Sequence, residues 1–178
     1  MTDPIHVRPL DAAEAAARVP ELSAVLIDCV EGGASVSFMA PMTRERADAF
    51  WRGVADGVAA GDRVLLVAEP ASGGAIVGTV QLVHAWPENQ PHRADVAKML
   101  VHRSARRRGV GERLIRAAED AARAAGRTLL VLDTVTGSAA ERLYARLGWV
   151  RVGVVPRYAL MPDGAPCDTT FFYRELTS

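Results

Sequence analysis

The sequence predicts an α/β fold: a mixed central sheet of about seven strands flanked by about four helices. Three observations carry this. Short apolar stretches of strand length alternate with amphipathic stretches of helical length along all 178 residues. Residues 64–69 pass through a Pro- and Gly-rich turn at 70–74 into another extended stretch, 75–86, so the strands there are antiparallel neighbours. Residues 93–101 and 128–132 are instead separated by a full helix, the crossover that parallel strands require. At 49% hydrophobic content the chain can bury one sizeable core, and no linker or repeat marks a second one, so residues 1–178 are read as one domain.

The elements follow in order. Residues 5–8 alternate after a proline and form a short first strand. Alanine and leucine recur at helical spacing over 11–30, with Pro20 starting a new turn or kinking the helix. Residues 31–40 break the pattern: Gly32 and Gly33 permit tight turns, and Phe38 with Met39 either tucks into the core or walls a pocket. Thr43 is a good N-cap for a helix to Ala59 that sets Phe50, Trp51, Val54 and Val58 on one face. Residues 64–69 read as a strand buried on both faces. The crossover helix over 111–125 places Leu114, Ala118, Ala121 and Ala125 inward, with Glu112/Arg116 and Glu119/Arg123 as outer i, i+4 pairs. A helix over 138–147, a strand over 150–160, a turn at Pro162-Asp163-Gly164 and a last strand over 169–175 complete the chain.

Composition excludes several classes of function. Lys plus Arg and Asp plus Glu balance at 21 each, which argues against a nucleic-acid surface despite the basic run at 103–108. No apolar run is long enough to span a bilayer, and the N-terminal stretch lacks the pattern of a signal peptide. Cys29 and Cys167 lie far apart without metal-like spacing, as expected of free thiols in a reducing cytoplasm. The four histidines form no metal-binding pattern, so no metal is expected.

The densest chemical signal is the turn in which Arg106, Arg107 and Arg108 run into Gly109, Val110 and Gly111, with Glu112 opening a helix. The first N–H groups of a helix lack intrahelical partners and the macrodipole adds positive charge, so such a turn attracts phosphate. The two glycines let the backbone approach a bulky anion. Strand, basic loop, glycine turn and helix together point to a pyrophosphate site; a plain glycine cap with solvated arginines is the other reading of the hexamer alone. A Walker P-loop is excluded, since no Gly-Lys-Ser or Gly-Lys-Thr occurs. A dinucleotide-binding fingerprint fits less well, because Leu114 stands where its third glycine belongs.

Arg106-x-x-Gly109-x-Gly111 between a strand and a helix resembles the coenzyme A signature of the GNAT N-acetyltransferases, and the element order β-α-α-β-β-β-α-β-α-β-β resembles that of the GNAT fold. Residues 32–40, 93–101, 132–138 and 162–164 are similar to the tabtoxin-resistance acetyltransferase branch, a likeness that runs from about residue 25 to the C-terminus. The resemblance implies acetyl transfer from acetyl-CoA to an amine of a small molecule, with an amino-acid-like toxin or antibiotic as the candidate acceptor. A protein acetyltransferase and a non-catalytic acetyl-CoA sensor are the alternatives. It also implies that the backbone of Met99, Leu100 and Val101 pairs with the pantetheine arm while Arg106, Arg107, Arg108, Gly109, Val110, Gly111 and Glu112 hold the pyrophosphate. A homodimer stays open beside a monomer.

An alkyl amine has a pKa near 10, so the reaction needs a base for its proton, donors for the oxyanion and an acid for the departing thiolate. Asp133, read at the C-terminal end of its strand, and Asp95, on the neighbouring strand, are the candidates for binding the ammonium and moving its proton. In the family that the chain resembles, a glutamate occupies the position of Asp95, so the shorter side chain here leaves two routes open, direct action or action through a bridging water. Tyr144 matches the family segment that carries the general acid. Gly33, Ser35 and Phe38 join the two aspartates as candidate acceptor contacts. Neither cysteine has a neighbour that would activate it, which favours direct transfer over an acetyl-cysteine.

Overall fold

The computed structural model describes residues 3–177; Met1, Thr2 and Ser178 lie outside that range. The chain runs β1 (Ile5–Leu10), α1 (Ala12–Ala17), α2 (Val19–Glu31), α3 (Arg44–Ala59), β2 (Arg63–Pro70), β3 (Gly78–His84), β4 (Arg93–Val101), α4 (Val110–Ala124), β5 (Leu129–Val135), α5 (Ala139–Arg146), β6 (Val150–Leu160) and β7 (Pro166–Glu175), with a single 3-10 turn at Arg103–Ala105. The seven strands form one sheet in the order β1-β2-β3-β4-β5-β7-β6. Every neighbouring pair is antiparallel except β4 and β5, joined through α4 as a crossover.

Period-two alternation fills both sides of this sheet. On β2, Leu66 and Ala68 face one cluster with Leu114, Ile115 and Ala118 of α4. Leu65 and Val67 face the other, with Leu22 and Leu26 of α2 and Trp51 of α3. The expected two-sided burial of this strand holds.

Three sequence expectations change. The stretch 11–30 is two helices, making five in all: Asp11 opens α1 with a capping box to Glu14, and Pro20 sits in the first turn of α2, where its missing N–H costs nothing. The extended stretch expected over 75–86 narrows to Gly78–His84, because the Ile76 N–H leaves the ladder to donate to Glu21 Oε2 at 3.0 Å, and Trp86 stands in solvent. On α4 the inward face holds Leu114, Ile115, Ala118, Glu119 and Ala122, while Ala125 is exposed. Glu119, expected outside with Arg123, is buried because Trp149 Nε1 donates to it at 3.0 Å, and Arg123 pairs with Asp120 instead.

Candidate active site

The site begins where two strands part. β4 and β5 pair in parallel only over Arg93–Asp95 and Leu129–Val131. Beyond that point β5 bonds β7 on its other edge as far as Val135, so the facing edges of β4 and β5 diverge with their backbone groups free. β4 also carries a bulge: Thr79 pairs with Leu100 but Gln81 with Ala97, so Lys98 and Met99 together oppose Val80. Lys98 takes φ 50°, the left-handed region, and Thr79 Oγ1 donates to the Lys98 carbonyl at 3.0 Å.

A cavity of about 480 Å³ lies on the α4 side of the parting, lined by Met99, Leu100 and Val101 of β4, by Arg106, Arg107 and Gly109 of the turn, and by Val110, Gly111 and Glu112 at the start of α4. Gly109 is the N-cap residue of α4 at φ 74°, with no side-chain cap, so the first N–H groups of the helix have no protein acceptor at that end. Gly111 keeps this corner open: a Cβ there would stand 3.1 Å from Leu143 Cδ2, a tight contact to which the leucine tip would have to give way. Free strand edge, uncapped helix start and two arginines fit the shape and charge of an extended pyrophosphate ester. Arg108 does not line this cavity, unlike Arg106 and Arg107; Arg106 Nε donates to the Val101 carbonyl at 3.2 Å. Cys29 also lines it, with its thiol pKa pushed up by burial, an effect that Arg106 opposes.

A second cavity, about 560 Å³, adjoins the first along the parted strands and shares Gly33, Ala34, Val36, Met99, Ser138 and Ala140 with it. Its floor is Lys98, Asp133 and Tyr144, and its rim is the 33–39 loop with Tyr158 and Leu160 of β6. Two bonds bridge the loop to the β6–β7 hairpin: Ser35 Oγ donates to the Leu160 carbonyl at 2.9 Å and the Ala40 N–H to the Pro162 carbonyl at 3.0 Å. Arg46 Nη1 pins the far end of the loop through the Pro41 carbonyl at 3.0 Å. Phe38 leans on Phe50 with ring centroids 5.1 Å apart, so it walls the cavity while Met39 stays exposed, rather than both entering the core.

The charges in this cavity are partly shielded from water, although the Asp133 side chain keeps an exposed face. Asp133 lies inside β5, opposite Phe171 of β7, not at the strand end expected from the sequence. Alternation sends Leu130 and Leu132 into the core and leaves Asp133 on the other face, reachable through the cavity. Desolvation pushes its carboxyl above the ordinary range; Lys98 opposes that shift and Asp95 adds to it. Desolvation likewise pushes the Lys98 ammonium down, with Asp133 opposing. Tyr144, 4% exposed between Trp149 and Phe172, has its phenol pushed up by burial and secondarily by Asp133.

Most of the residues singled out in the sequence meet around the parted strands. Gly33, Ser35, Phe38, Asp133 and Tyr144 line one cavity, and Met99 to Val101 with Arg106, Arg107 and residues 109–112 line the other. Asp95 lines neither: it sits before the strands part and pairs with Arg93. Its charge reaches Asp133, but the expected two-carboxylate cleft does not form. Lys98 was missed, since a lysine between Ala97 and Met99 reads as a solvated residue of a strand; only the bulge turns it into the cavity. Among the described residues no His, Cys, Asp and Glu cluster suits a metal, and no helix is long and apolar enough to cross a membrane.

Comparison with known proteins agrees with this architecture. The model of the acetyltransferase (GNAT) family matches residues 35–149. An uncharacterised N-acetyltransferase from the hisH–hisA intergenic region of Azospirillum brasilense is 35% identical over 108 residues, 60% of this chain and 61% of that relative's length. Among solved structures, yncA of Salmonella typhimurium, determined with its cofactor acetyl-CoA, superposes with a TM-score of 0.77 at 20% identity, covering 98% of this chain and 95% of that one. An N-acetyltransferase from Staphylococcus aureus Mu50 superposes with a TM-score of 0.80 at 16% identity, over 98% and 99% of the two chains. The matched span reaches from the 33–39 loop through the parted strands, the glycine turn and Tyr144, and the chain belongs to the GNAT acetyltransferase family.

Proposed function

We propose that this protein is an acetyl-CoA-dependent N-acetyltransferase acting on the amine of a small molecule by direct transfer, with an amino-acid-like toxin or antibiotic as the acceptor class. The observation that carries the small-molecule reading is the roof of the second cavity. The Ser35–Leu160 and Ala40–Pro162 bonds close the 33–39 loop onto the β6–β7 hairpin. The cavity volume of about 560 Å³ falls within the roughly 300–1,000 Å³ of small-molecule sites. The similarity of residues 32–40, 93–101, 132–138 and 162–164 to the tabtoxin-resistance branch supports the same acceptor class.

In this reading the free edge of Met99, Leu100 and Val101 holds the pantetheine arm as an added strand, and a backbone N–H there is available to the oxyanion. Arg106, Arg107 and the α4 N-terminus hold the pyrophosphate. The bound thioester supplies the acetyl group. Asp133 accepts the proton of the acceptor ammonium, and its raised pKa makes it a stronger base than an ordinary carboxylate. Tyr144 stays protonated because burial raises its pKa, and it donates to the sulfur as that atom gains charge. Asp95 acts on Asp133 through its charge rather than as a second base. Cys29, with its raised pKa, is a poor nucleophile, in keeping with direct transfer.

Thiol release from acetyl-CoA, measured over amino acids, polyamines and aminoglycosides beside a lysine peptide, tests the proposal. Turnover with a small amine upholds it. Turnover with the peptide alone replaces it with protein acetylation, and acetyl-CoA binding without turnover makes the chain a sensor. We also propose a homodimer through β6, the edge strand, which exposes Val152 at 66% and Tyr158 at 54%. Sedimentation giving a monomer at all concentrations excludes it.

A further inference from the structure

We propose that Lys98 and Ser37 form an anion subsite that selects acceptors carrying a carboxylate, or a group of equal charge, beside the amine that Asp133 receives. The inference rests on the small-molecule reading above and adds to it the residue that reads the rest of the acceptor.

Four observations converge. First, Lys98 occupies the bulge of β4, where the extra residue turns its side chain into the cavity that also contains Asp133. Second, Lys98 and Ser37 both hold left-handed φ values, 50° and 74°, which non-glycine residues rarely adopt, and they meet through a hydrogen bond of 3.0 Å from Lys98 Nζ to Ser37 Oγ. Left-handed residues on two walls of one cavity are the kind of strain that clusters at ligand clamps. Third, the ammonium is not directly paired: among the described residues it makes no ion pair within 4.0 Å, Asp133 acts on it only from beyond that distance, and its other close neighbour is the Phe50 ring, 5.9 Å from Nζ to the centroid. An ammonium has three donors, and Ser37 takes one. Fourth, burial depresses the pKa of Lys98, so the folded protein carries a desolvated charge that an incoming anion would relieve.

The two charges then sort an acceptor by polarity. A protonated amine is repelled by Lys98 and drawn to Asp133, while a carboxylate is repelled by Asp133 and drawn to Lys98. A zwitterion such as an amino acid satisfies both at once and enters in one orientation, amine toward β5 and carboxylate toward the 33–39 loop. A polyamine or aminoglycoside places a second cation against Lys98 and is disfavoured.

The test compares L-threonine, L-glutamate and L-phenylalanine with their C-terminal amides, in thiol release and in calorimetric titration of the CoA-loaded protein. We expect the wild type to favour the free acids in kcat/KM and in affinity by about 10- to 100-fold, the range of a charge-assisted hydrogen bond. Lys98→Met, which keeps the length of the stem, should bring the acid-to-amide ratio close to one, and Lys98→Arg should restore part of it. Ser37→Ala, a surface change, should lower the ratio by a smaller factor. The affinity of free CoA should not change in any of them. An acid-to-amide ratio that is equal in wild type and Lys98→Met overturns the subsite. If no small amine turns over, the small-molecule reading fails separately, and the calorimetric ratio still decides whether Lys98 binds the carboxylate.

Discussion

The two cavities that adjoin at β4 are made of different material. The α4-side cavity is built from backbone: the free edge of Met99 to Val101, the N–H groups that begin α4, and glycines chosen for dihedral or space. The loop-side cavity is built from side chains: Asp133, Lys98, Tyr144, Phe38 and the serines of the 33–39 loop. Backbone recognition is local and survives wide change of sequence, because a strand edge or a helix start offers the same groups whatever side chains surround it. Side-chain recognition depends on residues from four separate segments, the 33–39 loop, β4, β5 and α5, reaching one place. One half of the site is therefore suited to a constant cosubstrate and the other to an acceptor that differs between relatives.

Substitutions should break this division in a graded way. Asp133→Asn has the largest expected effect, a loss of about 10²- to 10⁴-fold in kcat with acetyl-CoA affinity unchanged, read by thiol release and calorimetry. Because the carboxyl pKa is raised in the folded state, the wild-type kcat/KM should fall with decreasing pH above the ordinary aspartate range, and the Asn variant should lose that limb. The linkage also has a sign. A raised folded pKa means that protonation of Asp133 favours the fold, a contribution present below the ordinary carboxylate pKa and lost as pH rises through the raised value. At neutral pH the ionised carboxylate is a burden, so Asp133→Asn should melt at or above the wild-type temperature, with the gap closing in acid.

Tyr144→Phe should follow, with turnover reduced by about 10²-fold and little change in acetyl-CoA binding; unchanged turnover would remove the phenol from the mechanism. Gly109→Ala acts on the other half. Its φ of 74° costs an alanine about 1–2 kcal/mol, and the displaced N–H groups should weaken acetyl-CoA by about tenfold with no change in acceptor KM. Loss of acceptor binding in that variant would mean that the two halves are not separable. Ser35→Ala is the mildest: cutting the bond to Leu160 should raise acceptor KM by up to about fivefold and leave acetyl-CoA binding intact.

The same division separates what could be read in advance from what could not. The glycine turn was legible because its chemistry is contiguous: a helix start, two glycines and their arginines lie within seven residues. That Tyr144 and Asp133 would line one cavity was legible through the likeness of the segments around them. Asp95 was misjudged, because its neighbouring strand pairs for only three residues, and the carboxylate lies where the strands are still closed and Arg93 holds it. Glu119 was set on the wrong side of α4 because its partner, the Trp149 indole, is 30 residues away.

By itself the sequence determined the order of the strands, the antiparallel hairpin, the parallel crossover and the glycine turn that opens α4, since each follows from residue periodicity or from chemistry within a few consecutive positions; the split of 11–30 into two helices it did not. Tertiary structure alone decided where β4 and β5 part, that Lys98 turns inward on a bulge and that Ser35 closes a roof against Leu160. Those features depend on register and on contacts between segments as far as 125 residues apart, and no local pattern records which free backbone edge or desolvated charge a distant loop will meet.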